Sequence, residues 1–126
     1  MTLVHGLVVF AAGCLAGWLG RYFVIEPAAM HAVCGGPAPA GWCAARDVFI
    51  HATFSRYYGI ASVAAAVACW VLRGRAAAVF AMTALLAGGL GLFLYDASWS
   101  AAGVLIALLR TPRIADEQPD ARDFTA

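Results

Sequence analysis

Hydrophobic positions fall into four long blocks separated by three shorter polar or turn-rich breaks. The first block runs from about residue 3 to 25 and holds one charge, Arg21. At ~1.5 Å of rise per residue it is long enough to cross a hydrocarbon core of ~30 Å. The second runs from about 44 to 72 and exceeds what a crossing needs, so its first turns are expected to project beyond the apolar layer. Arg73, Gly74 and Arg75 end it, and the third block runs from about 76 to 95. A tight turn at "DASWS" then leads into a fourth, shorter block at about 97–111, which Pro112 is expected to close. The pattern predicts an all-α polytopic membrane protein, a bundle of four transmembrane helices. An outward loop at 26–43 and a polar cytoplasmic tail at 112–126 complete the expected organisation.

Composition agrees with lipid as the solvent. Of 126 residues, 63% are hydrophobic and only 12% charged, and the mean hydropathy is +0.82. A soluble domain of this size keeps too much surface relative to volume to hide that apolar content. Net charge is +1 and no basic run occurs, which excludes nucleic acid as an expected partner.

Charge placement orients the bundle. Arg73, Arg75, Arg110 and Arg113 flank one side, against Arg21, Arg46 and Arg56 on the other. The positive-inside tendency then puts both termini in the cytoplasm of a bacterial inner membrane and the 26–43 loop outside. That side is oxidising, where disulfides persist. Cys34 and Cys43 lie in this loop with "GGPAPAG" between them, and a structural disulfide is the expected pairing. Cys14 and Cys69 sit at different depths within apolar blocks and read as small fillers.

Small residues recur at helical spacing. Gly13, Gly17 and Gly20 do so in the first block, Ala84, Gly88 and Gly91 in the third, and Gly103 in the fourth. Such faces let backbones approach closely, which drives helix association where lipid removes the hydrophobic effect between helices. Asp47, His51, Ser55, Tyr58 and Ser62 follow one another at helical steps, so a continuous helix would hold them within an arc of about 80°. With Arg56 and Asp96 they form an expected outer-face polar cluster. Arg56 is expected to lift toward Asp96 or a lipid phosphate, whereas Arg46 is expected in water. The centre of the membrane is left almost free of charge, which argues against an ion-driven transporter.

Catalytic signals are sparse. No phosphate loop or zinc motif occurs, and no metal or cofactor is expected. Four helices with an outward cysteine pair resemble, in layout, the quinone-linked thiol oxidases that reoxidise disulfide-forming proteins. The redox pair of those families is Cys-x-x-Cys, whereas eight residues separate Cys34 from Cys43 and no Cys-x-x-Cys occurs here. The expectation is therefore a small non-catalytic integral membrane protein, an accessory or assembly subunit of a larger bacterial membrane complex. Its partners would be the lipid bilayer and other membrane-protein subunits. The alternatives are a thiol–quinone oxidoreductase using the cysteine pair, or a small-molecule carrier.

Overall fold

A computed structural model describes residues 2–117. Among the described residues six α-helices occur: α1 (Leu3–Leu19), α2 (Ala28–Cys34), α3 (Cys43–Phe54), α4 (Tyr57–Val71), α5 (Gly74–Phe93) and α6 (Ala97–Asp116). No strand occurs among the described residues. Thr2 starts α1 by accepting the amide of His5 on its hydroxyl, a standard N-terminal cap. The helix then continues through a wider π-helical segment, Gly20–Ile25.

α5 is the central element. It packs against α1, α4 and α6, and α4 and α6 also pack against each other, whereas α1 rests almost wholly on α5. The shared core is built from small side chains: Ala65 and Ala66 of α4, Ala84 of α5 and Ala107 of α6, with Leu85 and Val104 filling between them. Close approach follows from that choice, since every added methyl would hold two backbones apart. A second cluster of Cys69, Ala77, Ala81 and Ile114 joins the end of α4, the start of α5 and the end of α6.

Two segments, Leu3–Ile25 and Gly74–Phe93, are long and apolar enough to cross a membrane. The second apolar block differs from the single helix expected over 44–72. It is broken at Ser55–Arg56, where Arg56 adopts a left-handed φ of 61°. No glycine or proline marks this break. It is held instead by contacts on either side: Phe49 lies over Gly20, and Asp96 holds the amide of Gly59. α4 alone has 15 residues, about 22 Å at helical rise.

The 26–43 segment, expected as loop, contains α2 after Pro27. The fourth helix also overruns its expected end at residue 111. Pro112 removes one donor, yet the helix continues to Asp116. Ile114 is buried in the second cluster, and Arg110 pairs across two turns with Glu117 at 2.8 Å. These contacts offset the missing backbone bond. The expected polar tail therefore begins as helix, and its part at 118–126 lies outside the described residues.

Candidate functional site

Polar side chains gather at the two ends of the bundle. The first end is made by the π-helical end of the first block, α2, α3, the start of α4 and the α5–α6 turn. Cys34 and Cys43 stand at disulfide distance, with Cα atoms 5.6 Å apart, and tie the end of α2 to the start of α3. One turn further along α3, Arg46 is buried, with 6% of its surface exposed. Its Nε donates to the Val24 carbonyl at 2.9 Å and its Nη2 to the Ile25 carbonyl at 3.3 Å. These carbonyls end the first helical block and have no later turn to receive them. Arg46 therefore acts as a remote C-terminal cap, contrary to its expected place in water.

Beside it, Arg21 donates to Glu26 at 2.8 Å, and the Tyr95 hydroxyl donates to the same carboxylate at 3.1 Å. The Arg21 guanidinium also lies 4.4 Å from the Tyr95 ring centroid, and Tyr95 stacks on Phe54. The hydrogen bond from Arg21 chiefly, and that from Tyr95, hold the Glu26 carboxyl below its usual range, against a smaller opposing effect of desolvation. A lowered carboxylate pKa means the contact is fully formed above the ordinary range and opens as pH falls through the lowered value.

The expected polar row is split by the break at Arg56. Asp47 and His51 are exposed on α3, and Ser55 lies at the break, its Oγ 3.4 Å from His51 Nε2. That distance is long for an activating hydrogen bond, and Asp47 makes no bond to His51 among the described residues, so the row is no catalytic triad. Tyr58 is half-buried against Phe49, and Ser62 is fully buried, donating to the Ala84 carbonyl at 2.8 Å.

Asp96, one of the two partners expected for Arg56 beside a lipid phosphate, is engaged elsewhere. Arg56 is exposed, while Asp96 is buried and accepts the Gly59 amide at 2.9 Å. Gly59 is in the first turn of α4, so a carboxylate from the residue preceding α6 caps an unsatisfied donor and meets the positive end of the α4 dipole. A Cβ at residue 59 would collide with that carboxylate. Asp96→Ala should therefore cost about 1–2 kcal/mol, the usual worth of an N-terminal cap. Combined with Arg56→Ala it should give additive losses in a double-mutant cycle read by thermal unfolding. A coupling above ~0.5 kcal/mol would restore the ion pair.

The small residues expected to pack helices each meet a neighbour. A Cβ on Gly13 would stand 2.5 Å from the Leu86 carbonyl oxygen, and one on Gly17 would stand 2.7 Å from that of Leu90, which places both at the α1–α5 seam. Gly20 faces the Phe49 ring, Gly88 faces Val104 and Ser62, Gly91 faces Ser100, and Gly103 faces Ser62. The Ser100 hydroxyl is buried without a hydrogen-bond partner among the described residues.

The opposite end carries a second buried arginine. Arg110, read from sequence only as a flanking charge, is buried between α4 and α6, donating to the Cys69 carbonyl at 3.3 Å and to Glu117. The Trp70 indole donates to the Ile106 carbonyl at 3.0 Å, and both Arg110 and Arg113 lie over its ring. The seven-residue spacing of Arg110 and Glu117 is the available sequence signal, hidden by the proline between them.

Closing a loop of this size with a disulfide removes unfolded-state freedom, so replacing Cys34 and Cys43 with serine should cost ~2–3 kcal/mol. Mass mapping of the non-reduced protein should recover the 34–43 link, and two free thiols would refute it. Comparison with protein-family models, curated proteins and solved structures finds no match for this chain.

Proposed function

We propose that this chain is a small integral membrane protein with four crossings and both termini cytoplasmic, serving in a bacterial inner membrane as a non-catalytic accessory or assembly subunit. The observation that carries the reading is the apolar surface of α1. This helix rests almost wholly on α5, and Leu3, Val4, Leu7, Val8, Leu15 and Trp18 remain exposed. Exposed apolar side chains continue round the bundle, with Ile60 and Val67 on α4, Val79 on α5 and Leu105 and Leu109 on α6. Water does not tolerate apolar surface on every side of a domain this small, whereas lipid and neighbouring helices do.

The two segments long and apolar enough to cross support two of the proposed crossings. For the other two, α4 and α6 each offer about 20 Å of apolar helix, short enough to require local thinning of the bilayer. Arg46 and Asp96 are used in capping, and Arg21, Glu26, Arg110 and Glu117 in ion pairs.

Extraction in a mild detergent followed by intact-complex mass analysis tests the reading. A stoichiometric larger partner is expected. A lone bundle carrying quinone would select the thiol–quinone oxidoreductase, and a lone bundle carrying another small molecule would select a carrier. Labelling of an Arg75→Cys variant by an impermeant reagent in intact cells would overturn the proposed orientation.

A further inference from the structure

We infer that the end of the bundle carrying Trp70 is a binding surface for the headgroup of an anionic phospholipid. The inference rests on the membrane reading above and adds a ligand to it. Trp70 is fixed by its bond to the Ile106 carbonyl, and two guanidinium groups converge on its ring, Arg110 at 5.7 Å and Arg113 at 5.2 Å from the centroid. Glu117 neutralises the buried Arg110. Arg113 is exposed and forms no ion pair among the described residues.

Two more cations stand at the same end. Burial of Ile114 with Cys69 and Ala77, and of Leu72 against them, packs the last turn of α6 beside the α4–α5 turn. That turn carries the exposed Arg73 and Arg75. Residues 70–117 thus bring four arginines to this end against two acids, Asp116 and Glu117. With Arg110 matched by Glu117, the exposed Arg73, Arg75 and Arg113 are left at this end with no ion pair among the described residues, and an anion joining them relieves their mutual repulsion. Guanidinium groups match phosphate oxygens in bidentate geometry, and an indole at a membrane boundary suits the glycerol level of a lipid. A phosphodiester headgroup with net negative charge supplies both parts, and it abounds where basic residues face the cytoplasm.

The test uses the full chain in mild detergent, with binding of phosphatidylglycerol and phosphatidylcholine followed by native mass spectrometry. The wild type should retain phosphatidylglycerol preferentially. Each arginine near an anionic surface changes affinity on the order of fivefold, so R73A/R75A/R113A should weaken retention by roughly a hundredfold. These three side chains are exposed, so the fold should survive, as circular dichroism would report. R56A removes one charge at the opposite end and should leave retention unchanged. Equal retention of the two lipids, or a triple variant that binds like the wild type, overturns the inference. Displacement of the lipid by millimolar inorganic phosphate would reassign the site to free phosphate. Protein that stays soluble and monodisperse without detergent would instead sink the membrane reading itself.

Discussion

Gly103→Ala is expected to destabilise the protein, although the same change in an open helix does the opposite. Replacing a helical glycine with alanine ordinarily gains ~1 kcal/mol from backbone entropy. Here the new Cβ would stand 2.7 Å from the Ser62 carbonyl carbon and run into the Ser62 hydroxyl. The first obstacle is backbone, and the second is held by its bond to the Ala84 carbonyl. Neither can swing away, so α4 and α6 must separate along their contact. Overpacking of this kind costs about 1–3 kcal/mol, which outweighs the propensity gain. Gly103→Leu should exceed ~4 kcal/mol and prevent recovery of folded protein. Equilibrium unfolding in mixed micelles measures both, and Ala102→Gly on the exposed side of α6 gives the propensity contribution alone. A Gly103→Ala protein as stable as wild type would mean that the α4–α6 seam is looser than described.

Arg46→Ala should be far more damaging than Arg56→Ala, the reverse of the order that position along the chain suggests. Arg46 is buried and serves two helix-terminal carbonyls, and hydrogen bonds from a charged donor are worth about 1.5–3 kcal/mol each. Removing it should cost ~2–4 kcal/mol, because the Val24 and Ile25 carbonyls lose their donors and a cavity opens beneath α3. Lysine should rescue only in part, since a single ammonium lacks the fork that reaches two acceptors. Arg56 is exposed, so its truncation should stay within ~0.5 kcal/mol. Arg56→Gly should stabilise by ~0.5–1 kcal/mol by relieving the left-handed backbone. Thermal unfolding of the four variants side by side decides the order. Equal losses for Arg46→Ala and Arg56→Ala would remove the capping role.

The carboxylate Asp96 shows the same limit of inference from sequence. Its place at the turn between two apolar blocks follows from the sequence. Its partner does not, because a charged residue one loop away is as plausible a neighbour as a backbone amide. The bond to Gly59 exists because that residue has no side chain in the way, and glycine in an apolar helix carries no label saying which neighbour it admits.

Sequence by itself determined the helical class, the positions of the apolar blocks and the cysteines, Cys34 and Cys43, that stand at disulfide distance. Each of these depends on local information: block length, periodicity, and loop residues close enough in the chain for one bridge. Tertiary structure decided the rest. The second block breaks at Arg56 without glycine or proline, because contacts with Gly20 on one side and Asp96 on the other hold the two halves. The last helix passes Pro112 because Ile114 is buried and Glu117 reaches back to Arg110. Arg46 and Arg110 are buried because each finds carbonyls at the end of another helix, an arrangement that exists only once the helices have packed. Unpaired backbone groups at helix ends are a property of the assembled fold, and a charged side chain that satisfies them reads along the chain like any charge in water.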